Sequence, residues 1–185
     1  MNNTSKTRDT VFIALFAVLI AICSWISIPT AIPFTMQIFG VFLALNYLGG
    51  KKGILCVVVY LLMGIVGLPV YANGTTGISI LMGMTGGYMI GWLFSGLVMW
   101  FFEALIGRKI WAQFKSMLVG LLVCYAIGTA WFMAVYAQTT GVVGLWAALC
   151  WCVLPFIIPD IAKLLLVLWF TQRLNKITEI MQGER

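Results

Sequence analysis

A chain of 185 residues that is 63% hydrophobic and only 9% charged is far from the usage of a soluble domain and falls in the membrane class. A crossing takes about 20 apolar residues for roughly 30 Å of hydrocarbon, so the chain holds about six crossings and no separate soluble catalytic domain. Its formal charge of +6 is spread over short gaps and tails, which reads as orientation in a membrane and not as a nucleic-acid surface.

The first apolar segment runs from about Val11 to Ile28. Lys6 and Arg8 precede it as they would precede a signal peptide, but no small-residue cleavage site follows Trp25 and more spans come after, so a retained first helix is expected. The stretch Ile28-Pro-Thr-Ala-Ile-Pro-Phe-Thr has two prolines and makes loop one. Segment two, about Met36 to Leu48, gives way to a basic turn, Gly49-Gly-Lys-Lys-Gly53. Segment three, about Ile54 to Val66, opens into a long uncharged loop reaching about Thr85. Segment four, about Gly86 to Ile106, ends at Arg108 and Lys109, and segment five, about Met117 to Ala137, ends at Gln138-Thr-Thr-Gly. The sixth starts near Leu145, meets Pro155 and Pro159 and runs on to Phe170. As a straight helix of about 29 residues it would measure roughly 43 Å, so a break at the prolines is expected, with the spanning part beginning near Pro159.

With these segments, Lys6, Arg8, Lys51, Lys52, Arg108, Lys109, Lys115 and the tail from Arg173 to Arg185 fall on one side, and the three opposite loops carry no Lys or Arg. The positive-inside rule then makes both termini cytoplasmic. The expected fold is all-α, an integral membrane bundle of six transmembrane helices, with residues 1–185 forming a single substrate-binding domain.

Lys163 breaks the charge map. It sits inside an apolar run, three residues after Asp160, and a charge at a bilayer centre costs about 2.5–3.5 kcal/mol on insertion scales. Ten residues before Arg173, it lies about 15 Å above the cytoplasmic interface, and Asp160 about 5 Å beyond it, between midplane and outer face. Asp160 follows Pro159 in a first helical turn, where the helix dipole favours a carboxylate by up to about 1 kcal/mol, a term that does not explain Lys163. A spacing of three puts both on one face, to pair with each other or share a ligand. A purely internal salt bridge is the bland alternative. Buried pairs stabilise weakly against apolar replacements, which favours the ligand.

The uncharged loops supply Thr35, Gln37, Asn73, Thr75, Thr76, Ser79, Thr85 and Tyr88, a set able to fold over a pocket. Gly83, Gly87, Gly91 and Ser95 recur every four residues and mark close helix packing. Ala14, Ala17 and Ala21 make a shorter small stripe on helix one, fit for internal packing or for docking to another subunit. The five cysteines are odd in number and lie in or beside apolar runs, so they read as small buried residues. With no His, no serine elbow and no P-loop spacing around Gly49 to Gly53, catalytic and metal-binding residues are not expected, nor a cofactor.

Three stretches carry a resemblance: Ile32-Pro-Phe-Thr-Met-Gln37, Gly67-Leu-Pro-Val-Tyr-Ala-Asn-Gly with Gly83-Met-Thr-Gly-Gly-Tyr88, and Pro155-Phe-Ile-Ile-Pro-Asp-Ile-Ala-Lys163. They resemble the BioY family, the biotin-binding S components of energy-coupling factor (ECF) transporters, over nearly the whole chain and in the expected order. The resemblance implies a multi-pass subunit of the bacterial plasma membrane that captures biotin from outside. It would work with a transmembrane T component and two ATPases, which would supply the ATP chemistry. Carried over residue by residue, the substrate site falls on Asp160, Lys163, Thr35, Gln37, Asn73, Gly74, Thr85, Gly86, Gly87 and Tyr88. The Ala-x-x-x-Ala patch for the T component falls on Ala17 and Ala21, beside Ala14. Met84 departs from the family pattern, which has a proline before Thr-Gly-Gly.

The chemistry of biotin agrees with this. Its ureido ring has two N–H donors and one carbonyl, and its tail ends in a carboxylate. An ionised Asp160 is acceptor-only and suits a ureido N–H, whereas Lys163 is donor-only and suits either the ureido carbonyl or the tail. The alternative is a self-sufficient carrier of another solute that uses Asp160 as a proton or cation site.

Overall fold

The computed structural model describes residues 3–28 and 34–183. Among these it has eight helices: α1 (Asn3–Trp25), α2 (Gln37–Leu48), α3 (Gly50–Ile65), α4 (Ile78–Met82), α5 (Gly86–Ile106), α6 (Ile110–Thr139), α7 (Leu145–Cys152) and α8 (Leu154–Gly183). By length and composition α1, α5, α6 and α8 are long and apolar enough to cross a membrane. Their outward side chains are apolar too: Leu15, Val18 and Ile22 on α1, Leu97 and Phe101 on α5, Leu122 on α6, Leu165 and Trp169 on α8 are all exposed. Helices apolar on both their inner and outer faces belong in lipid, and the chain is a membrane protein. α2 and α3 have 12 and 16 residues, fewer than the roughly 20 of a perpendicular crossing.

Segment four is realised to the residue as α5. The other boundaries move, each for a local reason. α1 stops at Trp25, because Ser27–Ile28 (β1) pair antiparallel with Phe34–Thr35 (β2), Ser27 opposite Thr35. This short ladder is a local addition to a chain that is otherwise mostly helical, as expected, and closes loop one as a hairpin. Pro29 of loop one, and Ile32 and Pro33 of the first motif, lie outside the described residues. The basic turn after α2 contracts to one connector, Gly49, whose φ of +84° is open to glycine and strained for other residues. Lys51 and Lys52 are therefore exposed residues of the first turn of α3. The loop from Gly67 to Thr85 contains a 3-10 turn at Ala72–Gly74 and the short α4. α6 exceeds segment five at both ends and takes in Lys115.

The last break also differs from the expectation. It falls at Val153 (φ −125°, ψ −56°), ahead of both prolines. Pro155 occupies the first turn of α8, where an amide would have no helical acceptor to lose. Pro159 lies inside α8, so the carbonyl of Pro155 forgoes its helical donor and no sharp break follows.

The small stripe on α5 packs against α6. A methyl group at Gly87 would sit 2.2 Å from Trp131 Cβ, and one at Gly91 would sit 3.1 Å from Cys124 Cα. Ser95 Oγ donates across to Gly120 O at 2.7 Å. Reversed, a methyl at Gly128 would sit 2.2 Å from the Tyr88 ring. Small residues thus let the two backbones approach along about two turns of α5, as the spacing predicts, whereas Gly83 precedes the helix and a methyl there would meet the backbone oxygens of Ile80 and Ser79. The stripe on α1 is internal as well: Ala17 and Ala21 are buried, and of the three alanines only Ala14 is exposed. In this conformation Ala17 and Ala21 do not present a docking surface, because that face of α1 packs on α2, where a methyl at Gly40 would sit 3.1 Å from Ile20 Cα.

The junction of α2 and α3 is stapled from α5. Glu103 Oε2 accepts from Gly50 N at 2.8 Å, capping α3, while Arg108 donates to the carbonyls of Asn46 and Tyr47 at the end of α2 and pairs with Glu103 at 3.4 Å. Each charge faces the helix end whose dipole it complements. Glu103→Gln is expected to lower stability by about 1 kcal/mol, read as a drop in the thermal midpoint in detergent.

Candidate functional site

Asp160 and Lys163 come together on α8, both buried, at 0% and 4% exposure. Lys163 Nζ donates to Asp160 Oδ1 at 2.8 Å and to the backbone oxygen of Thr35 at 2.7 Å. It also stands 4.2 Å over the centre of the Phe34 ring, so an ammonium with three protons has three partners. The second carboxylate oxygen of Asp160 accepts from Tyr125 Oη at 2.6 Å. A pair removed from water survives only when its remaining hydrogen-bonding capacity is met, and here each oxygen and each proton has a partner.

The hairpin brings Thr35 to this pair because β2 leads straight into α2. Gln37 N donates to Thr35 Oγ1 at 3.2 Å, fixing the start of α2. The Gln37 side chain, also buried, donates to Tyr60 Oη on α3, which in turn donates to Val70 O at 3.0 Å. Ser24 Oγ reaches the same carbonyl at 2.6 Å, and Trp25 Nε1 donates to Pro69 O at 2.9 Å. The long loop is thereby tied to α1 and α3. Tyr71 fills the space over Gly64, where a methyl would sit 2.0 Å from its Cζ, and donates to Leu61 O at 2.7 Å. Burial raises the Tyr71 hydroxyl above its ordinary pKa, which keeps it a donor.

These groups enclose a cavity with about 90 Å³ open to the centres of water molecules. Of the residues expected from sequence, Thr35, Gln37, Thr85, Tyr88, Asp160 and Lys163 line it. Tyr88 also bonds Thr129 at 3.2 Å. Asn73, Gly74, Gly86 and Gly87 are not among the lining residues. Asn73 sits in the 3-10 turn at φ +58°, and its Oδ1 accepts from Ser27 Oγ at 2.6 Å, pinning the loop to the hairpin. Gly86 backs onto Leu81 O, Gly87 onto Trp131. At Met84, where the family pattern has proline, the chain turns through Gly86 N to Gly83 O at 3.1 Å.

Sequence reasoning missed Tyr125, Trp92 and Phe34. Tyr125 and Trp92 sit in uninterrupted apolar helices with no local mark. Phe34 belongs to the first motif, but its ring under Lys163 needs the hairpin to place it. Trp92 is 4% exposed, and its Nε1 is buried without a hydrogen-bond partner among the described residues, a state that costs about 1–3 kcal/mol. The cavity is therefore lined by a carboxylate, an ammonium, a tryptophan whose indole nitrogen is buried and unpaired, and apolar or aromatic walls from Ile38, Ile80, Met89 and Phe156. That is a site for binding a small, partly polar molecule.

Known proteins are similar to this chain along nearly its whole length. The "Biotin transporter BioY" of Thermotoga maritima is 34% identical over 171 residues, 92% of this chain and 97% of that one. The "Probable biotin transporter BioY" of Pyrococcus horikoshii is 35% identical over 172 residues, 92% and 98% of the two chains. A solved structure, the S-component for biotin from an ECF-type ABC transporter, superposes with a TM-score of 0.85 at 26% identity and covers 95% of each chain. The BioY family pattern itself matches residues 1–179, so the hairpin, the glycine-rich helix pair and the α8 acid and lysine are those of a chain that belongs to the BioY family.

Proposed function

We propose that this protein is the biotin-binding membrane subunit, or S component, of an ECF-type transporter. The observation that carries the reading is the fully bonded Asp160–Lys163 pair on the cavity wall, in a chain whose relatives are biotin transporters. Carboxylate lone pairs left beside Lys163 and Tyr125 suit ureido N–H groups, and the apolar walls suit the thioether ring and the valeryl chain. Thr35, Gln37, Thr85 and Tyr88 complete the lining. Asn73, Gly74, Gly86 and Gly87 act one layer out, by fixing the loop and the start of α5.

The same reading gives one domain with six crossings, α1, α2, α3, α5, α6 and α8, and both termini cytoplasmic in a bacterial plasma membrane. Its support is the charge map: Lys52, Arg108 and Lys109 lie at one end of the helices, and the loop of 67–85 carries no charge. A transmembrane T component and two ATPase subunits would drive release. The outer face of α1 around Ala14 is open to such a partner.

Titrating the detergent-purified protein with biotin is expected to change its tryptophan fluorescence and to saturate at one ligand per chain. Folded protein that gives no signal and no heat of binding with biotin would sink the reading. Proton- or ion-driven net uptake by the subunit reconstituted alone would point instead to a self-sufficient carrier.

A further inference from the structure

Most of the buried polar side chains on the cavity wall already have a partner within the protein. Asp160 is bonded to Lys163 and Tyr125, Lys163 to Asp160 and Thr35, Gln37 to Tyr60, and Tyr88 to Thr129. Among the described buried side-chain nitrogens and oxygens, Trp92 Nε1 stands unpaired, on a residue that lines this same cavity. An apolar side chain of the same outline would fill the space without that cost, so the nitrogen calls for an acceptor brought in from outside. We infer that Trp92 is a ligand-recognising residue whose indole N–H donates to the ureido carbonyl of the bound molecule, an inference that rests on the biotin reading above.

Two steps lead from the unpaired nitrogen to that atom. An indole N–H is donor-only, so its partner must be an acceptor: the ureido carbonyl, the tail carboxylate or, weakly, the thioether sulfur. Trp92 and Asp160 also line the same cavity, from α5 and α8. Gly91 packs on Cys124, Trp92 follows Gly91, and Tyr125 follows Cys124 and bonds Asp160. A molecule that fills this cavity therefore meets both an indole donor and a carboxylate, and needs an acceptor for one and donors for the other. A ureido group carries both on one neutral plane. A tail carboxylate would put net negative charge on a pair that is otherwise balanced, in a buried site where unpaired charge is costly. Trp92 is thus a specificity element: it rejects a ring that lacks the carbonyl, because the donor would stay unpaired in the complex.

The test is calorimetric titration of the whole protein and of Trp92→Phe with three ligands. These are biotin, 2-iminobiotin, which carries an N–H group in place of the carbonyl oxygen, and biotinol, which keeps the ring and lacks the carboxylate. Trp92→Phe is expected to weaken biotin and biotinol alike by about tenfold to a hundredfold and 2-iminobiotin by less than about threefold. Equal affinity of variant and parent for biotin would overturn the role of Trp92 alone. A loss seen with biotin and 2-iminobiotin but not with biotinol would overturn the ureido assignment and move the contact to the tail. A parent protein that binds no biotin would instead sink the functional reading and this inference with it. Should Trp92→Phe fail to fold, the parent decides by nitrogen-15 NMR of its indoles. A downfield move of the Trp92 N–H proton on adding biotin supports the bond, and an unmoved resonance in a saturated sample overturns it.

Discussion

Replacing Asp160 by Asn and Lys163 by Met in the same chain is expected to keep the thermal midpoint within about 5 °C of the parent, while biotin affinity falls by about a hundredfold or more. The two outcomes separate because the pair is buried and self-contained. Swapping a buried pair for well-packed neutral groups is often neutral or stabilising, whereas removing one partner costs about 3–5 kcal/mol. Asp160→Asn alone should therefore be the less stable protein. Its ammonium would keep Thr35 O and the Phe34 ring but lose its counter-charge, and Tyr125 would lose a charged acceptor. Melting curves of single and double variants, run beside biotin titrations, check both halves. A double variant that binds like the parent would return the pair to a structural role.

Gly128→Ala, at a residue that does not itself line the cavity but backs onto Tyr88, is expected to weaken biotin binding by about tenfold or more. Its new methyl would stand 2.2 Å from the Tyr88 ring, and Gly87 holds α5 too near α6 for the helix to yield. The ring must then swing into the cavity it lines. The measurement is the affinity ratio to the parent, together with a melt, since overpacking of this kind typically costs about 1–3 kcal/mol of stability. Unchanged affinity would mean that the two helices can part after all.

The sequence announced the charged pair because the cost of inserting a charge into an apolar run is a local, one-residue signal. It announced the α5–α6 seam because small residues every four positions have one physical meaning. α5 itself was legible to the residue, bounded by Gly86-Gly87 and by Gly107-Arg108. Tyr125 was not, since a tyrosine inside an apolar helix looks the same whether it faces lipid or a carboxylate, and only the register of α6 against α8 decides. The break at Val153 was hidden behind two prolines that attract attention. A first-turn proline costs a helix nothing, and Pro159 costs only one bond near an end. Ala17 and Ala21 show the same limit, because a small stripe says that something comes close without saying whether it is α2 or another chain. Thr35, Gln37, Thr85 and Tyr88 stood out as hydrogen-bonding residues of uncharged loops able to fold over a pocket, and the family motifs then supplied the ligand.

The seam between α5 and α6 bears on kinetics. Backbones packed through Gly87, Gly91 and Gly120 cannot separate by a side-chain rotation, so one wall of the cavity is rigid on the timescale of ligand exchange. The opposite wall is the hairpin and the segment of 67–85, held by single hydrogen bonds such as Ser24 to Val70, Trp25 to Pro69 and Asn73 to Ser27. These are bonds that open one at a time. Residence time of the ligand is then governed by that wall, while Trp92 on α5 and Tyr125 on α6 add selectivity from the rigid one.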